Sequence, residues 1–113
     1  MHELTLAAAV VDQALEVLAR SGAARVVAVT LDFGVLSGAE PDALAFCFPH
    51  ATLGTAVEGA RLELRPAPLV LRCLLCGAET TRGEAELVCG ACDSGAVEVI
   101  GGRDLTLVSL EVQ

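Results

Sequence analysis

Two Cys-x-x-Cys pairs, separated by twelve residues, constrain this chain of 113 residues more than any other feature. The first pair is Cys73 and Cys76, and the second pair is Cys89 and Cys92. Each pair presents two thiolates from one tight turn, and four thiolates satisfy the tetrahedral preference of Zn²⁺ at a Zn–S distance of roughly 2.3 Å. The spacing is shorter than the roughly 15–20 residues typical of the pattern, but it suffices for a hairpin. It predicts a structural zinc site, with a redox dithiol pair or two disulfides as alternatives.

The predicted zinc module is too small to fold by apolar burial alone. The chain has no Trp, no Tyr and three Phe, so its core must be built from Val, Leu and Ala. In a segment of about 30 residues, bound metal must supply much of the folding free energy, roughly 10–16 kcal/mol in small zinc modules. We therefore expect the metal to be required for this part of the fold.

The charge balance disfavours a nucleic-acid partner. Seven basic residues stand against fifteen acidic ones, for a net charge of −8. Affinity for nucleic acid depends largely on Lys and Arg, and the stretch 69–100 also lacks any aromatic residue on which a base could stack. We expect no nucleic-acid binding.

Hydropathy and cysteine usage predict a cytoplasmic protein without a membrane span. Although 54% of the residues are hydrophobic, no run approaches the roughly 18 apolar residues that a span needs. The first cationic residue is Arg20, so the basic start of a secretory signal is missing. Five cysteines, four of them in metal spacing, suit a reducing compartment better than a disulfide framework.

The first part of the chain predicts a helix, a strand and a second helix. The first helix is expected over residues 5–21, with Thr5 as N-cap and Gly22 as the residue that follows its end. A strand is expected over 25–33, and a second helix begins at Pro41. Pro49 is expected to end or kink that helix. The apolar stripe expected to dock the first helix is Leu4, Ala8, Val11, Leu15 and Leu18.

Three further strands are expected over 61–65, 96–100 and 105–112. Because its side chains are apolar on both faces, the last strand is expected to lie between covering layers or at a helix-covered sheet, and therefore to return to the first module. The predicted fold class is α+β: a helix-plus-three-stranded-sheet module with an inserted four-cysteine, zinc-ribbon-like hairpin module. The predicted bounds are 1–68, completed by 103–113, for the first module and 69–102 for the zinc module, with a stiff boundary at 66–68.

The first three residues form an unusual set of ligands. Met1, His2 and Glu3 offer an α-amine, an imidazole and two amide nitrogens, which can wrap a divalent ion in one plane. Square-planar nitrogen coordination suits Ni²⁺ or Cu²⁺. On these residues alone, a frayed terminus with a solvated histidine is the more ordinary interpretation.

The whole chain resembles the HypA/HybF family of nickel metallochaperones. The segments that carry the resemblance are 1–4, 29–34, 44–48, 58–62, the two cysteine pairs and 107–112. The resemblance implies a nickel site at the starting Met-His-Glu and a structural zinc in the four-cysteine hairpin. It also implies delivery of Ni²⁺ for maturation of [NiFe]-hydrogenase, and in some organisms urease. The implied partners are a HypB-like nickel-binding GTPase, the hydrogenase large subunit and urease maturation proteins.

Residue by residue, the resemblance implies that nickel is held by the Met1 amine, the His2 imidazole and the backbone nitrogens of His2 and Glu3. Glu3 and Glu40 are candidates for carboxylate coordination or support. A carboxylate before Pro41 is equally an ordinary start of a helix, so both roles stay open for Glu40.

Two positions depart from the family pattern. Gly90 stands where proline is frequent, which is expected to loosen the zinc turn slightly, and Pro49 falls in a region that is helical in the family. Cys47 is expected to be a small buried hydrophobe and His50 a loop residue, neither with a part in the chemistry.

Two alternatives use the same four cysteines. One is a zinc-ribbon adaptor that binds nucleic acid or another protein, and the other is a rubredoxin-like iron site for electron transfer. The sequence offers no support for an enzyme, since it has no nucleophile–histidine arrangement, phosphate loop or convincing carboxylate pair. The client of the nickel and the choice between monomer and homodimer stay open.

Overall fold

The computed structural model describes residues 2–113, except for the side chain of His2. It has two helices and two three-stranded sheets, with strand orders β2-β1-β6 and β4-β3-β5. This confirms the α+β class; the cysteines lie with a second three-stranded sheet, of which only the strand near residues 96–100 was predicted. The elements are α1 (His2–Ser21), β1 (Val26–Gly34), α2 (Pro41–Thr52), β2 (Arg61–Ala67), β3 (Leu69–Cys73), β4 (Glu79–Arg82), β5 (Val97–Gly101) and β6 (Leu105–Val112).

The chain forms two compact units. The first comprises Met1–Asp32, Ala39–Arg65 and Thr106–Gln113, and the second comprises Phe33–Gly38 and Pro66–Leu105. The sequence predicted two domains, 1–68 completed by 103–113 and 69–102. That division into domains stays a prediction. Within residues 2–113, neither helix combines the length and the hydropathy that a membrane span requires.

Helix α1 starts earlier than predicted. It begins at His2, so Thr5 lies inside the helix and is not its N-cap. A carboxylate in the first turn, from Glu3, suits the positive end of the helix dipole. Gly22 follows the helix with φ +77°, which confirms its predicted role, because this left-handed conformation favours glycine.

The buried face of α1 differs from the predicted stripe. Val11 and Leu18 are buried as expected, whereas Leu4 is 45% exposed and Ala8 is exposed. Leu15 of the predicted stripe is half-buried. The face is Ala7, Val10, Val11, Ala14 and Leu18.

Helix α2 packs against α1 and continues through Pro49 to Thr52. Pro49 therefore does not end the helix. Proline at position 49 has no N–H to donate to the Ala45 carbonyl. Pro49 and Ala45 are both exposed, so water can donate to that carbonyl instead. His50 lies within this helix and not in a loop, whereas Cys47 is buried as predicted.

Strand β6 returns to the first sheet as predicted, next to β1. It is an edge strand, however, and none of its residues is buried: Leu105, Leu107 and Leu110 are half-buried. Val108 is 42% exposed and Val112 is 38% exposed, so the strand does not lie between two covering layers. Apolar side chains on both faces of an edge strand therefore did not indicate two covering layers here.

In the second sheet, β3 lies between β4 and β5 and pairs antiparallel with both. Leu69, Leu71 and Cys73 are buried on one face of β3. Leu71 lies opposite Thr80 of β4 and Val99 of β5. This central strand ends at Cys73, so the sheet leads directly into the first cysteine pair.

Candidate metal centre

The four predicted cysteines converge on one point. Their Sγ atoms all lie within 4.8 Å of one another, with 3.6 Å between Cys73 and Cys92 and 3.6 Å between Cys76 and Cys89. Four sulfurs at roughly 2.3 Å from a tetrahedral ion lie about 3.8 Å apart, so the donor set fits Zn²⁺. Cys73 and Cys89 are buried, while Cys76 and Cys92 are exposed.

The first cysteine turn, residues 73–76, is here called the first knuckle. The Sγ atom of Cys73 accepts hydrogen bonds from the backbone N–H groups of Leu75 and Cys76, each at 3.4 Å. The N–H of Gly77 donates to the Cys73 carbonyl at 3.1 Å, and Gly77 has φ +77°. Glycine here lets the chain reverse tightly beneath the sulfur.

The second knuckle, residues 89–92, repeats this arrangement. The Sγ atom of Cys89 accepts from the N–H of Ala91 at 3.3 Å, and the N–H of Asp93 donates to the Cys89 carbonyl at 3.0 Å. Asp93 takes the place of Gly77 with φ +60°, a conformation that Asp tolerates better than most residues. The repeated Cys-x-x-Cys sequence thus folds into two similar turns that face each other.

These backbone contacts prepare two of the sulfurs for a cation. The N–H groups of Cys76 and Leu75 lower the pKa of Cys73 to about 6. The N–H groups of Cys92 and Ala91 likewise lower the pKa of Cys89. Hydrogen bonds to a thiolate favour its charged form, so these backbone donors favour the thiolate at both buried sulfurs.

The exposed pair behaves in the opposite way. The N–H of Ser94 lowers the pKa of Cys92, but the neighbouring sulfurs, Cys73 foremost, raise it to about 12. Cys76 also has a raised pKa, because the effect of its neighbours Cys89 and Cys73 exceeds that of the Ala78 N–H. A coordinating thiol must lose its proton, so binding of a divalent ion by this pair would release protons.

Two side chains near the cluster were not predicted from the sequence. Thr80 and Arg82, both on β4, contact the backbone on either side of Cys89. Their spacing of two residues on a strand places them on one face, but the strand itself was not predicted.

The predicted nickel ligands at the N-terminus lie largely outside the described residues. This holds for Met1 and for the side chain of His2. Glu3 lies in the first turn of α1 and is half-buried. Glu40 is the N-cap of α2, and its carboxylate accepts from the N–H of Asp42 at 3.4 Å. Its role as a helix cap is therefore observed, while nickel coordination by Glu3 and Glu40 stays a prediction.

Over nearly its whole length, the chain is similar to proteins of one family. Residues 1–112 match the family model described as "Hydrogenase/urease nickel incorporation, metallochaperone, hypA". A hydrogenase maturation factor HypA from Geobacter metallireducens is 41% identical over 115 residues and is covered completely, as is this chain. One from Nitrosospira multiformis is 38% identical over 112 residues, which cover 99% of this chain and 97% of that protein.

Solved structures share the fold. The solution structure of the Ni metallochaperone HypA from Helicobacter pylori has a TM-score of 0.77 at 21% identity, over 97% of this chain and 96% of that one. The solution structure of a second HypA protein has a TM-score of 0.75 at 22% identity, over 100% of this chain and 97% of that one.

Proposed function

Because the chain belongs to the HypA family of nickel metallochaperones, we propose that it binds Ni²⁺ at its N-terminus and delivers it during maturation of [NiFe]-hydrogenase. The observation that carries the proposal is the match over residues 1–112, which includes the starting Met-His-Glu. The family description names both hydrogenase and urease, so urease is a second client.

The proposed nickel ligands are the Met1 amine, the His2 imidazole and the backbone nitrogens of His2 and Glu3. An amine, an imidazole and two deprotonated amides give the planar nitrogen set that Ni²⁺ accepts. Glu3 and Glu40 are proposed as carboxylate ligands or supporting groups. Glu40 is the weaker of the two, since it already caps a helix.

The four cysteines are proposed to hold a structural zinc. The sulfur distances and the backbone hydrogen bonds to the two buried sulfurs support this assignment. When bound, Zn²⁺ would join the two knuckles into one rigid unit. Four protein ligands leave no open position, which distinguishes this site from a catalytic zinc.

Delivery is proposed to be a transfer and not a catalysed reaction. A site at the chain terminus has exchangeable ligands, whereas the four-sulfur site is closed. We propose that a HypB-like nickel-binding GTPase or the hydrogenase large subunit displaces one nickel ligand on contact, and that urease maturation proteins take the equivalent role for urease. The net charge of −8 favours basic surfaces on these partners.

We further propose that the protein works in the cytoplasm. None of the five cysteines forms a disulfide, and a four-thiolate zinc site requires reduced sulfurs. The proposed nickel site would also require the Met1 α-amine to be unmodified in the cytoplasm.

The test of the nickel site is a calorimetric titration of native protein against a version extended by a few residues ahead of Met1. The extension removes the α-amine from the ligand set, so we expect tight nickel binding to be abolished while zinc content is unchanged. Undiminished nickel affinity in the extended protein would refute the N-terminal assignment.

A further inference from the structure

The two knuckles are attached to their sheet in different ways. The first knuckle continues β3, whose last residue is Cys73, and the N–H of Cys73 donates to the Ala78 carbonyl at 2.9 Å. The second knuckle follows residues 83–88, which form no strand, and leads through residues 93–96 into β5, where the N–H of Leu74 donates to the Ala96 carbonyl at 2.8 Å. On the side of Cys89, the position of this knuckle relative to the sheet therefore depends on contacts other than a continuous ladder.

Those contacts come from one face of β4. Thr80 and Arg82 are both partly buried and lie two residues apart. The Thr80 hydroxyl oxygen accepts from the N–H of Gly90 at 2.9 Å, and Nε of Arg82 donates to the Val88 carbonyl at 3.3 Å. The residues immediately before and after Cys89 are thus both held by β4.

The contact between Thr80 and Gly90 depends on both residue types. A Cβ atom at position 90 would lie 3.1 Å from Cγ2 and 3.2 Å from Oγ1 of Thr80, closer than side chains ordinarily approach. A proline at 90, frequent in the family pattern, would have no N–H to donate. The chain therefore uses Gly90 to bring a backbone donor against the threonine hydroxyl.

We propose that Thr80 is a positioning residue for the metal centre. Its hydroxyl holds Gly90, and through it keeps the sulfurs of Cys89 and Cys92 facing the first knuckle before the ion arrives. When the second knuckle is already held facing the first, the four sulfurs need less rearrangement to bind the ion. The two knuckles also separate less often, so the contact slows release of the ion. The inference rests on the proposed zinc site, because it concerns how that site keeps its ion.

The experiment compares the full-length wild type with Thr80→Val, Thr80→Ser and Thr81→Val. Valine has nearly the shape of threonine but lacks the hydroxyl, and serine restores it. Thr81 is the matched control, since it lies on the opposite, exposed face of the same strand. Zinc release to an excess of a coloured chelator gives the rate, and Co²⁺ substitution gives the absorption bands of the four-sulfur site.

We expect Thr80→Val to bind one zinc but to release it about three- to tenfold faster, the range that one neutral hydrogen bond supplies. Thr80→Ser and Thr81→Val should match the wild type, and the Co²⁺ spectrum of Thr80→Val should keep its tetrahedral form. If Thr80→Val does not retain zinc at all, wild-type behaviour of Thr80→Ser still assigns the effect to the hydroxyl.

An unchanged release rate in Thr80→Val would overturn the proposal, as would equal acceleration in Thr81→Val or failure of serine to restore the rate. These outcomes differ from failure of the zinc site itself. In that case, the wild type would contain no zinc and would give no four-sulfur Co²⁺ spectrum.

Discussion

The two units of this chain are stabilised by different means. In the first unit most of the buried side chains are aliphatic, with Leu31 and Leu44 fully buried and Phe48 2% exposed. In the second unit the buried hydrophobic side chains are Leu69, Leu71, Cys73 and Cys89, so two of the four are proposed metal ligands. A unit in which half of the buried hydrophobic side chains are its own proposed ligands cannot gain much from apolar burial alone. We therefore expect metal to be required for the fold of the second unit and not for that of the first.

The largest effect is expected from removal of zinc with a chelator, which tests whether metal stabilises only the second unit. We expect the backbone amide resonances of residues 69–101 to lose their dispersion, because bound zinc contributes roughly 10–16 kcal/mol in modules of this size. The far-UV signal of α1 and α2 should persist, and added zinc should restore the lost resonances. Loss of the helical signal at the same chelator concentration would mean that the two units unfold together.

A substitution in the core of the first unit tests whether apolar burial stabilises that unit without affecting the zinc site, and its expected effect is smaller. Leu31→Ala removes a fully buried side chain from β1, and we expect it to lower the free energy of unfolding by about 2–5 kcal/mol. Zinc content should stay at one per chain. Leu53→Ala, at a site that is 64% exposed, is the control and should change stability little. Zinc loss in folded Leu31→Ala protein would contradict the proposed independence.

The smallest expected effect concerns Glu40. Glu40→Ala removes the N-cap of α2, which should cost about 0.5–1 kcal/mol of stability. If capping is its only role, nickel affinity should not change, and Glu40→Asp should restore stability. A tenfold loss of nickel affinity in stable Glu40→Asp protein would instead identify this carboxylate as a ligand.

The cysteine cluster could be predicted because its four ligands lie close together in the sequence. Each pair forms one turn, and two such turns with a short connection have few ways to meet except around an ion. Helix α1 and strand β1 were also recognisable, from their periodicity and β-branched residues, to within a few residues at their ends.

Strands β3 and β4 were not predicted, for two reasons. Leu69–Cys73 follows two prolines that suggested a linker, and Pro66 in fact lies within β2, an edge strand that tolerates its missing N–H. Glu79–Arg82 is too short to show a period. The contact between Thr80 and Gly90 depends on how β4 meets a loop ten residues later, which no local pattern encodes.

The central claim is that the chain keeps its cargo and its structural metal at separate sites. It is tested most directly by titrating nickel into native, untagged protein and into His2→Ala and His50→Ala, with zinc measured on all three. His50 is the matched control, an exposed histidine on α2. We predict that His2→Ala loses at least about 100-fold in nickel affinity, since one ligand of the planar set is gone, while zinc stays at one per chain. Equal nickel binding by His2→Ala and wild type would contradict the N-terminal site, and loss of zinc from His2→Ala would contradict the separation of the two sites.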